Sequence, residues 1–81
     1  MSKYNIFLTD NMYSTEGAEL VGEAETPKEA CKVLNDVLLA RGEQEGRYWR
    51  FLFASNATFI DYGSWSLFGT IVPPLEMSDL N

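Results

Sequence analysis

Arg47-Tyr48-Trp49-Arg50-Phe51-Leu52-Phe53 has an alternation that suits an extended strand. With a period of two, Trp49, Phe51 and Phe53 go to one face of a sheet, and Tyr48, Arg50 and Leu52 to the other. Both faces of that strand therefore receive bulky side chains. A helix can shelter only one of them, so the rest of the chain decides what covers the second.

Working outward, the strand is expected over residues 47–54. A short turn at Ser55-Asn56-Ala57 leads to a further strand over 58–62, and Gly63-Ser64 joins that strand to one over 65–72. The second half then reads as an antiparallel meander stopped by Pro73-Pro74. Upstream, residues 5–9 carry the β-formers Ile6 and Phe7 and end at the turn-forming pair Asp10-Asn11. Residues 10–17 read as a polar loop. Residues 19–25 alternate as a second strand, although Gly22 counts against it.

Thr26-Pro27-Lys28-Glu29 is the sharpest local signal. Threonine can cap a helix, proline suits its first position, and a glutamate three residues after the cap can close a capping box. A helix from Pro27 to about Arg41 follows. Ala30, Val33, Leu34, Val37 and Leu38 make its apolar stripe, with Cys31 and Ala40 on the borders. Gly42 stands where a left-handed terminating residue belongs.

The order ββαβββ predicts an α+β domain over residues 1–74: a four- or five-stranded antiparallel sheet with one helix packed on one face. The first strand is expected near the middle, beside a strand from the second half. Residues 75–81 are expected to form a flexible acidic tail. In this arrangement the helix covers Trp49, Phe51 and Phe53 together with Ile6 and Leu8. The opposite face then inherits Tyr48, Leu52, Phe7 and either Phe68 or Trp65.

Eighty-one residues form one small domain, a size at which stability is marginal and extra burial through association helps. An apolar content of 46% rules against a disordered chain. The net charge of −6 disfavours direct binding to nucleic acid, whose affinity comes from cations on phosphates, and favours a basic protein partner. Cys31 has no second cysteine to pair with, so a reducing cytoplasm is the expected setting. The run Ile6-Phe7-Leu8 is too short for a signal peptide's apolar core, and no stretch has the length of a membrane span, so no membrane association is expected.

No catalytic motif stands out. Without histidine there is no Ser-His-Asp or Cys-His arrangement, and zinc lacks a usual ligand. Gly63-Ser64-Trp65-Ser66 departs from the nucleophile elbow, and the segment from Asp10 to Gly17 lacks the spacing of a calcium loop. No cofactor or metal is expected. An enzymatic reading would rest on Asp61, Tyr62 or Cys31 in a shared pocket.

The candidate binding residues are Glu19, Glu23 and Glu25, expected on one side of the second strand as an acidic row, with Tyr48, Arg50 and Leu52 on the sheet and Leu39 on the helix's polar side. Such a row could imitate a nucleic-acid backbone before a nucleic-acid-binding protein, or simply guard an edge strand. The expectation is a small acidic, non-enzymatic protein-binding module. In type it is like the small inhibitors that bacteriophages and mobile elements direct at host proteins. The alternative is a homodimer of structural role whose apolar surplus is its own interface.

Overall fold

The computed structural model describes residues 3–11, 14–42, 49–63 and 67–80, the last without its side chain. The elements run β1 (Tyr4–Thr9), β2 (Glu19–Ala24), α1 (Pro27–Ala40), β3 (Arg50–Phe53), β4 (Thr58–Asp61), β5 (Phe68–Val72) and a 3-10 turn (Met77–Leu80). The strands form one antiparallel sheet in the order β2-β1-β5-β4-β3. This is the expected α+β fold with the expected ββαβββ order, and β1 lies between β2 and β5. Tyr48 and Trp65 lie outside the described residues.

Local chemistry sets the helix. The Thr26 hydroxyl accepts the Glu29 N–H at 3.1 Å, and Pro27 occupies the first turn, where a missing N–H costs nothing. At the other end Gly42 takes φ +83°, a left-handed conformation that a side chain resists. Ala30, Leu34 and Leu38 are buried at intervals of four, with Cys31, Val33 and Val37 half-buried beside them.

Two glycines decide where the helix sits. A β-carbon on Gly22 would lie 2.5 Å from a Val33 methyl, and one on Gly69 would lie 2.6 Å from Leu34 Cδ2. The bare backbone at both points makes seats for helix side chains, so α1 rests chiefly on β2 and β1 and reaches β5 through Leu34. Gly22 weakens the strand pattern in sequence, yet it is what lets the helix approach.

Pairing through the register puts Tyr4, Ile6, Leu8, Ile71, Thr58, Ile60, Phe51 and Phe53 on the helix side. Five strands about 4.8 Å apart span roughly 19 Å. A helix is only about 10–12 Å thick with its side chains. Seated over β2 and β1, it cannot also roof β3, and Trp49, Phe51 and Phe53 remain half-buried. Their ring centroids lie 6.1 Å apart at each step, tilted by 49° between Trp49 and Phe51 and stacked between Phe51 and Phe53. The expectation that the helix covers this trio is therefore only partly met.

The second face differs from expectation in the other direction. Phe59 is 3% exposed and Thr70 is 0% exposed, although both point away from the helix, and Thr9 and Ala57 are buried as well. The centre of this face is closed. Phe7 and Phe68 are half-buried, and among the described residues of this face Leu20 and Leu52 are the large apolar side chains that stand open, on the two outermost strands. Among the described residues, half-buried aromatic rings gather at the β3 end of the sheet, and Leu20 stands open at the β2 end.

The segment expected as a loose tail begins in the core. Leu75 is buried, and its N–H donates to the Thr58 hydroxyl at 2.7 Å. The following 3-10 turn packs against α1. A single leucine after Pro73-Pro74 carries no periodicity, so the sequence pattern could not reveal this anchor.

Candidate functional site

The β1–β2 connection is braced by short-range hydrogen bonds. The Thr9 hydroxyl accepts the Asn11 N–H at 3.2 Å, Ser14 Oγ accepts the Glu16 N–H at 3.1 Å, and Gly17 turns the chain at φ +74°. This loop holds Asp10 and Glu16 in solvent beside the outermost strand, β2, which adds Glu19 and Glu23, with Glu25 just beyond its end. All five carboxylates are exposed.

They do not form one row. The register runs Asn5 with Glu23 and Ile6 with Gly22, then Phe7 with Leu20 and Leu8 with Glu19, leaving Val21 as an extra residue. This β-bulge reverses the alternation. Glu23 shares the face of Asn5, away from the helix, while Glu19 shares that of Leu8 and meets Arg41 of the helix C-terminus at 3.0 Å. Strict period-two counting places Glu19, Glu23 and Glu25 together, and one inserted residue separates the first from the second. The bridge to Arg41 is exposed and contributes little stability. It does neutralise Glu19, whereas Glu23 and Glu25 meet no cation among the described residues.

Leu20 is 52% exposed within this acidic edge, on the same face as Glu23 because it pairs with Phe7. The sequence reading missed it. Period-two counting from Glu19 puts Leu20 on the opposite side from Glu23, and only the bulge brings the two onto one face.

The other candidates lie elsewhere. Arg50 and Leu52 are at the opposite edge of the sheet, on the second face. Arg50 lies 3.8 Å from the Asp61 carboxylate across the strand pair. Leu39 is 39% exposed on the helix. The candidates thus fall into two groups at the two sheet edges, with Leu39 apart from both.

The residues considered for catalysis are not brought together. Asp61 and Tyr62 are consecutive across a strand end; Tyr62 is buried in the helix-side core, while Asp61 sits on the other face, pairs with Arg50 and accepts the Gly63 N–H at 2.9 Å. Cys31 is half-buried beside the core, and burial pushes its thiol up from the ordinary value. The thiolate is the reactive form, so Cys31 is expected to react with iodoacetamide at neutral pH far more slowly in the folded protein than in urea. Equal rates measured by mass spectrometry would contradict its packing. Among the described residues no group of three His, Cys, Asp or Glu side chains is placed to hold a metal ion, and no helix is long and apolar enough to cross a membrane.

Comparison of the chain with protein-family models, with curated proteins and with solved structures gives no match.

Proposed function

We propose that this chain is a small acidic, non-enzymatic protein-binding module that engages a basic surface through the β2 edge and the adjoining loop. The observation that carries this reading is the exposed Leu20 set among Asp10, Glu16, Glu23 and Glu25. An apolar anchor supplies affinity, and charge around it steers the approach and fixes the choice of partner. The strand pairing of β2 and the hydrogen bonds of Asn11 to Thr9 and of Glu16 to Ser14 limit the freedom of the backbone around these groups, which lowers the ordering cost. Inhibition of a host nucleic-acid-binding protein, in the manner of phage and mobile-element inhibitors, would use such an edge.

The test is affinity capture from the native host, followed by titration of the captured protein against variants. Glu23→Lys with Glu25→Lys is expected to weaken binding at least ten-fold and to flatten its dependence on salt. Glu19→Lys alone is expected to do less, because Arg41 already offsets that carboxylate. Unchanged affinity and salt slope in the double variant would end the proposal.

A further inference from the structure

Among the described residues, the two outer strands are defended differently. β2 carries glutamates and a bulge, devices that stop an exposed edge from pairing with another chain. β3 carries neither a bulge nor a proline, and its one charge, Arg50, is balanced by Asp61. For a chain with a net charge of −6, this is the edge where two copies meet without facing unpaired carboxylates on the paired strands.

Its backbone is also turned outward at matching positions. The Ala54 N–H donates to the Ala57 carbonyl at 3.0 Å, which continues the register that pairs Phe53 with Thr58. Bonded and non-bonded positions alternate along an antiparallel pair. Leu52 and Arg50 therefore exchange their bonds with β4, while Phe51 and Phe53 direct N–H and C=O groups away from it.

We infer that β3 seats a second copy of this chain, antiparallel about a two-fold axis through Phe51, so that the two five-stranded sheets join into one. In that register Phe51 meets Phe51 of the other copy and Trp49 meets Phe53, so the half-buried row of rings in each copy continues across the joint. On the opposite face Arg50 meets Leu52, so like charges are not set directly across from each other. The pairing leaves both acidic β2 edges free at the outer ends. It does not depend on the binding role proposed for that edge. A strand of this length buries less than the roughly 800 Å² per partner of a standard interface, so the dimer dissociates on dilution.

The register makes the test charge-specific. Leu52 is exposed, so neither lysine nor glutamate there disturbs the core of one copy. Leu52→Lys places a cation opposite Arg50 at two symmetric points, and Leu52→Glu places an anion there. In sedimentation equilibrium at several concentrations, the lysine variant is expected to dissociate at least ten-fold more readily than the glutamate variant. Amide exchange of the wild type is expected to slow most at Phe51 and Phe53 as concentration rises, because their N–H groups face the second copy, while those of Arg50 and Leu52 are already bonded to β4. A monomer at all concentrations would overturn the inference. So would a dimer indifferent to the sign of the charge at position 52, or exchange at Phe51 that does not depend on concentration.

Discussion

Leu34→Ala is expected to cost about 3 kcal/mol, within the usual range of 2–5 for emptying a packed leucine site. Leu34 is fully buried, and its methyls fill the hollow above Gly69, with Ile60 alongside. Glycine has no side chain to move into the space, so the site cannot close on itself. A domain of this size has a total stability of roughly 4–12 kcal/mol, so the loss is a large share of it. Urea unfolding should show a lower midpoint with an unchanged slope. A loss under about 1 kcal/mol would mean that the helix does not sit as described.

A second substitution sharpens this result. Gly69→Ala in the wild type brings a methyl 2.6 Å from Leu34 Cδ2, and such overpacking costs about 1–2 kcal/mol. In the Leu34→Ala background the same methyl enters the vacated space and should recover part of the loss. The sign of the Gly69→Ala effect is therefore expected to invert. Additive effects would show that the two positions do not touch.

The other large effect comes from two threonines treated alike. Thr58 and Thr70 are both fully buried, on opposite faces of adjacent strands. The Thr58 hydroxyl accepts the Leu75 N–H at 2.7 Å, whereas the Thr70 hydroxyl makes no hydrogen bond among the described residues. Thr58→Val leaves a buried N–H without an acceptor and should cost about 2 kcal/mol, while loosening the C-terminal segment. Thr70→Val removes a buried hydroxyl that gains nothing and should stabilise by about 1 kcal/mol. Thermal or chemical unfolding of the pair checks the opposite signs. Equal destabilisation by both would show that the Thr70 hydroxyl has a partner.

Particular residues show why some features were legible in the sequence and others were not. Thr26, Pro27 and Gly42 mark the helix ends through interactions within a few residues, so the helix bounds follow from the sequence almost unaided. The alternation at Trp49, Phe51 and Phe53 likewise sorted the faces of β3 correctly, because side-chain direction in a strand is a local property. For the binding edge, the exposure of Glu19, Glu23 and Glu25 was legible, while their grouping was not. The extra residue Val21 becomes visible only once β2 is laid against β1. Leu20 was hidden for the same reason, since its face is defined by its pairing with Phe7.

The element order, the ends of the helix, its apolar stripe and the lack of any histidine-based chemistry follow from the order and kinds of residues. These depend on backbone preference, spacing and composition. Packing in three dimensions sets the helix over Gly22 and Gly69, closes the centre of the second face, draws Leu75 into the core and leaves β3 half-covered. Each of these rests on whether groups far apart in the chain fit one another in volume and hydrogen bonding. No local pattern encodes the distance between Leu34 and Gly69.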